Sequence, residues 1–118
     1  MNLICFQGHD KENWAQLNAL IKRGTWDKIL IVKNKETESF TESENCIVLE
    51  INSNSPILEL KDEIMQKLKA AIGRDFEVAL SIASGNGKEH MALISALLSI
   101  PMGIRFIAYT KNGIEFIN

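Results

Sequence analysis

Cysteine, proline, histidine and long apolar runs are all scarce in this chain, and each scarcity excludes something. The two cysteines, Cys5 and Cys46, lie far apart with no C-x-x-C spacing, so free reduced thiols are expected in place of a bridge. No His/Cys/Asp spacing suits a zinc ion, and the sequence calls for no metal or cofactor. No apolar run reaches the roughly 18 residues of a membrane span. Met1-Asn2-Leu3-Ile4-Cys5-Phe6 lacks the basic start and roughly 7–15-residue apolar stretch of a signal peptide. A cytoplasmic protein with no membrane partner is expected. Positive charge is not in excess either: 13 Lys and Arg face 15 Asp and Glu, a net charge of −2. That is the wrong sign for a protein that neutralises many duplex phosphates. A small anionic ligand is not excluded, because backbone N–H groups and one or two cations suffice to hold it.

With only two prolines and seven glycines, no stretch has the composition of a linker or a disordered tail. The chain is 46% hydrophobic and 24% charged over 118 residues, so a single α/β domain covering residues 1–118 is expected, with a core that needs no staples.

Periodicity supplies the element order. Leu3–Phe6 is a short apolar run, followed by Gln7-Gly8-His9-Asp10 and a helical pattern through Trp14, Leu17, Leu20 and Ile21, which predicts strand, loop and helix. Asp10 or Asn13 can cap that helix and Gly24 ends it behind Lys22-Arg23. Lys28–Lys33 holds the run Ile29-Leu30-Ile31-Val32, expected of a strand buried on both faces. Asn34–Asn45 is polar and predicts a solvated loop or short helix without chemistry. Cys46–Ile51 is a third strand, and Ser55-Pro56 predicts the capped start of a helix running to Ala71 before Gly73.

Glu77–Ala83 is a fourth strand, Ser84–Gly87 a tight loop, and Glu89–Ser99 a helix so apolar that burial nearly all round is expected. Pro101 and Gly103 end it. Ile104–Tyr109 and Ile114–Ile117 predict a closing hairpin on an Asn-Gly turn. The whole reads as a Rossmann-like three-layer α/β sandwich, its sheet mostly parallel with an antiparallel C-terminal hairpin. In a 3-2-1-4-5-6 strand order, the loops after the first and fourth strands meet at the switch point, where ligands bind.

Those loops carry the candidate chemistry. Ser84-Gly85-Asn86-Gly87-Lys88 lies between strand and helix, where glycines let backbone approach an anion and helix N–H groups point toward it. It is neither a P-loop, since Glu89 follows Gly87-Lys88, nor a dinucleotide fingerprint, since His90 stands at the third glycine position. A purely structural turn is the other reading. Lys88 could neutralise a phosphate, against which stands a simple solvated pairing with Glu89. His9 and His90, the only imidazoles, fall one on each loop and are candidate proton carriers, although a surface histidine is more often inert. Trp14 and Trp26 could stack on a base, but core packing is favoured for both.

The strand Val78-Ala79-Leu80-Ser81-Ile82, the loop Ala83-Ser84-Gly85-Asn86-Gly87-Lys88, nearby Met91, the apolar helix and Ile104-Arg105-Phe106-Ile107-Ala108-Tyr109 together resemble the CRISPR-associated Rossmann-fold (CARF) domains. Element order agrees over nearly the whole chain, the specific letters over a much shorter stretch. Ser84 stands where that family often has threonine, Asn86-Gly87 replaces Gly-Thr, and Lys88 lies three residues before Met91, one more than the common spacing. The resemblance implies a homodimer that binds a cyclic oligoadenylate second messenger across its two-fold axis, with Gln7, Gly8, His9, Ser84, Gly85, Asn86, Gly87, Lys88 and Met91 at the ligand.

Some such domains cleave the ring without metal, a ribose 2′-OH attacking the adjacent phosphate to leave a 2′,3′-cyclic phosphate. The candidate catalytic residues are then Ser84 and Lys88 at the phosphate and His9 or His90 as proton carriers. A non-catalytic sensor or dimerisation subunit, and an unrelated nucleotide- or flavin-binding α/β protein, remain the alternatives.

Overall fold

Residues Asn2–Gln7 (β1) are buried along their whole length, which a strand achieves only with a layer on each side. The computed structural model describes residues 1–39 and 45–118. After β1 come a 3-10 turn at Lys11–Asn13 and then α1 (Trp14–Arg23), β2 (Ile29–Asn34), β3 (Cys46–Ile51), α2 (Ile57–Ile72), β4 (Glu77–Ser81), α3 (Gly87–Ser99), β5 (Gly103–Thr110) and β6 (Gly113–Phe116). The strands form one sheet in the order β3-β2-β1-β4-β5-β6. All neighbours are parallel except β5 and β6. This is the expected three-layer, Rossmann-like architecture with a closing antiparallel hairpin.

Alternation along the strands sorts the core. Ile4, Phe6, Leu30, Val32, Val78 and Leu80 turn to the face covered by α2 and α3, where they meet Leu60, Ile64, Leu68, Leu93 and Leu97. Leu3, Cys5, Ile29, Ile31 and Ala79 turn to the other face and pack with Leu17, Leu20 and Ile21 of α1. Each fully buried Val, Leu, Ile or Phe among them contributes about 1.5–3 kcal/mol. Burial pushes the Cys5 thiol far above its ordinary value, so it behaves as a small apolar residue. Among the described residues no helix is long and apolar enough to cross a membrane.

Several boundaries differ from the sequence expectation, each for a local reason. Neither Asp10 nor Asn13 caps α1 with its side chain, because Asp10 is engaged across the sheet. Pro56, not Ser55, is the residue at the start of α2, and no side chain caps it. The fourth strand stops at Ser81, two residues early, and α3 begins at Gly87 because Asn86 caps it.

That helix is not buried all round: Met91 and Leu98 are 60% and 63% exposed, since α2 and the sheet cover only one side of it. In the hairpin, Thr110 pairs with Gly113 around Lys111-Asn112. The two-residue loop is therefore Lys111-Asn112 and not the Asn112-Gly113 pair expected, with Gly113 already in β6 and carrying the positive φ. Of the polar stretch after β2, residues 40–44 lie outside the described residues; Thr37 is buried, contrary to a fully solvated loop.

Candidate functional site

The order of strands puts β1 beside β4, and the chain leaves β1 toward one edge of the sheet and β4 toward the other. The loops at their carboxyl ends therefore part around a crevice. Glycine lets them come close at its base. A β-carbon on Gly8 would lie 2.6 Å from Gly85 Cα and 2.7 Å from Gly85 N. Gly85 itself has φ of 104°, a region that side chains rarely tolerate.

Ser84 bolts the two loops together. Its hydroxyl is buried, accepts from the Gly8 N–H at 2.8 Å and donates to Asp10 Oδ1 at 2.7 Å. The same carboxylate oxygen accepts the Gly85 N–H at 3.0 Å, while Asn13 Nδ2 donates to Oδ2 at 2.7 Å. Burial works to raise the Asp10 carboxyl, but the hydrogen bonds from Asn13, Ser84 and Gly85 outweigh it and hold it below its ordinary value, so Asp10 is a carboxylate at neutral pH.

The start of α3 is built as a capping box: Asn86 Oδ1 accepts the Glu89 N–H and Glu89 Oε1 accepts the Asn86 N–H, both at 2.9 Å. Two backbone donors that a helix start leaves orphaned are thereby satisfied. Glu89 is buried, and its Oε2 accepts the Ser53 hydroxyl at 2.7 Å. Lys88 is exposed and donates to the Ser53 carbonyl at 2.9 Å. Lys88 and Glu89 thus share Ser53 as a partner. Ser53 N–H in turn donates to Asn34 Oδ1 at 3.1 Å, tying the carboxyl ends of β2 and β3 to the start of α3.

The histidines occupy different levels. His90 Nε2 is 2.7 Å from the Ser84 carbonyl, which can only accept, so Nε2 carries the hydrogen and Nδ1 is left as the acceptor in the neutral ring. Its ring meets Phe6 edge-on at 6.4 Å, beneath the loop. His9 is exposed at the lip, with Nδ1 3.1 Å from Thr37 Oγ1. Among the described residues it lines the walls of at least two clefts. One, of about 210 Å³, is lined by His9, Asp10, Gly85, Asn86 and Glu89; the other, of about 350 Å³, is lined by His9, Lys11, Trp14, Glu36, Thr37 and Glu38.

No family model matches this chain, and no curated protein matches it closely enough to lend it a function. The site is therefore defined by its own geometry. Of the residues singled out in the sequence, Gly8, His9, Ser84, Gly85 and Asn86 gather at the crevice. His90 supports the loop from below, and Gln7 is buried and donates to the Glu38 carbonyl at 2.7 Å. Gly87 opens α3, Lys88 reaches toward Ser53, and Met91 faces outward from the next turn.

Sequence reasoning missed four contributors. Asp10 reads as a helix cap, Glu89 as a surface partner of Lys88, and Thr37 and Ser53 as ordinary loop residues. Glu89 had a legible signal, since Asn86-x-x-Glu89 is a capping-box pattern. Thr37 is placed by Lys33, whose buried ammonium donates to the Thr37 carbonyl at 2.6 Å.

Proposed function

We propose that this chain binds a cyclic oligoadenylate at the carboxyl edge of its sheet, in the cytoplasm, as a homodimer whose two copies present their crevices to one ligand. The observation that carries the reading is the backbone contact of Gly8 with Gly85, where loops after β1 and β4 meet at the switch point of a parallel sheet. Ligands of such sheets bind outside the strand ends at that place. Supporting it, the Gly87 and Lys88 N–H groups open α3, where no earlier helical carbonyl is available to them, and the exposed Lys88 ammonium lies on the same turn.

The homodimer draws on a different feature. From His90 to Ile104 the chain carries no Lys, Arg, Asp or Glu, and along that stretch Met91 and Leu98 stand exposed on α3. An uncharged outer helix face suits contact with an identical face.

Ring cleavage would need a proton carrier beside the phosphate, and His9 at the lip of the cleft is the better placed imidazole, because His90 Nε2 is committed to the Ser84 carbonyl. A binding module without catalysis is favoured by one observation: in the ligand-free protein the Ser84 hydroxyl accepts from the Gly8 N–H and donates to Asp10, which suits it to latching the loops and orienting a ligand more than to carrying a proton in a reaction.

The deciding experiment incubates the purified protein with cyclic tetra-adenylate and cyclic hexa-adenylate in excess EDTA, with calorimetry for binding and chromatography for products. Linear products ending in a 2′,3′-cyclic phosphate make it a ring nuclease, and binding with an intact ring makes it a sensor. Absence of both overturns the proposal.

A further inference from the structure

The loop that resembles a phosphate cradle already holds an anion of its own. Asp10 Oδ1 receives both the Ser84 hydroxyl and the Gly85 N–H, at 2.7 and 3.0 Å. Two donors converging on one charged oxygen is how a phosphate oxygen is held. Asp10 stands at the wall of the 210 Å³ cleft and is only half-buried, so water has access to the place it would move to. A second anion cannot share those donors, because two negative charges at hydrogen-bond separation repel strongly in a partly desolvated crevice.

We propose that Asp10 is a built-in competitor: its carboxylate occupies the Ser84–Gly85 donors in the ligand-free protein and swings out when an external phosphate group takes its place. This rests on the reading that a phosphate-bearing ligand approaches this loop.

The surroundings permit the exchange. The backbone turn that carries Asp10 is held independently, by Asn13 N–H donating to the Asp10 carbonyl at 2.9 Å. Gly8 N–H keeps its bond to Ser84 Oγ, and Trp14 Nε1 donates to the Gly8 carbonyl at 2.9 Å. Rotation of the Asp10 side chain therefore costs three side-chain hydrogen bonds and leaves the loops latched. The departing carboxylate regains water, and the incoming oxygen inherits two of the donors, so the exchange is close to balanced and the ligand's remaining contacts decide it.

The test uses Asp10→Asn, which keeps shape and removes charge, and Asp10→Ala, which empties the place, each checked by thermal melting to be folded. Inorganic phosphate is titrated while the Ser84 and Gly85 backbone amides are followed by 15N NMR. The variants are expected to show saturable shifts at both amides with affinity about tenfold or more above wild type. Equal or weaker response of both variants relative to wild type overturns the competitor.

A parallel titration with cyclic tetra-adenylate separates the two ideas. Variants that take phosphate while neither they nor wild type take the cyclic nucleotide keep the competitor and remove that ligand. Equal binding of the cyclic nucleotide by wild type and both variants, with equal phosphate response, keeps the ligand and removes the competitor.

Discussion

A β-carbon built on Gly8 would stand 2.5 Å from Asp10 Oδ1 and 2.6 Å from Gly85 Cα. The first neighbour is a side-chain oxygen that can move; the second is backbone and cannot without parting the loops. Gly8→Ala is expected to lower stability by about 1–3 kcal/mol, the range for forcing extra atoms into packed space. It should also weaken the Gly8–Ser84 hydrogen bond. Urea unfolding and protection of the Gly8 amide against hydrogen exchange measure the two effects separately.

Gly85→Ala and Gly87→Ala should differ although only one residue separates them. Gly85 needs φ of 104°, and its β-carbon would meet Phe6 Cδ1 at 2.8 Å and His90 Nε2 at 3.0 Å, whereas none of the described residues lies within 4 Å of one on Gly87. The first substitution is expected to cost about 1–3 kcal/mol, and the second to stay within about 0.5 kcal/mol. A Gly85→Ala loss as small as that expected of Gly87→Ala, by chemical denaturation, would mean that the loop conformation does not depend on Gly85.

Asp10 should mark the acid side of the stability profile. Its folded carboxyl titrates below the ordinary value of 3.8. The unfolded state therefore takes up the proton first, and the stabilisation is complete above the unfolded value and lost as pH falls through the folded one. Melting temperatures between about pH 5 and pH 2 should fall more steeply for wild type than for Asp10→Asn, the two curves converging at the acid end. Parallel curves would show that the carboxylate contributes nothing to this slope.

Lys88→Ala tests the site without testing the fold. The ammonium is exposed and bonds a carbonyl, not a carboxylate, so stability is expected to change by no more than about 0.5 kcal/mol. Under the proposed function, affinity for cyclic tetra-adenylate should fall at unchanged melting temperature. Unchanged affinity in a protein whose wild type binds would remove Lys88 from the site.

Asn86→Ala removes one side of the capping box and leaves the Glu89 N–H without its side-chain partner. A loss of about 1 kcal/mol is expected, and exchange at the Glu89 amide should accelerate first, because the frayed turn is the one that cap held.

The element order, the hairpin and both faces of the core were legible in the chain, because apolar periodicity is set by local geometry: two residues per repeat in a strand and 3.6 in a helix. Ile29-Leu30-Ile31-Val32 fits a doubly covered strand by its β-branched run, and Ser84–Gly87 fits a turn into a helix by its glycines and Asn86. Even the 3-2-1-4-5-6 order follows from few alternatives once crossovers must be right-handed. The exposed side of α3 was not legible, because composition tells how apolar a helix is and not how many neighbours it finds.

The long-range partners of the site were decided by tertiary structure. Asp10 and Ser84 are 74 positions apart, and Ser53 and Glu89 are 36 apart. Read locally, Asp10 is a helix cap and Glu89 the far side of a capping box with Asn86, which is what each would be in an isolated segment. Only when parallel pairing sets β1 beside β4 does the Asp10 carboxylate find a buried hydroxyl and a glycine amide closer at hand than its own helix. A side-chain hydrogen bond goes to whichever partner the fold brings within reach at least cost in desolvation, and that choice has no trace in the order of the letters.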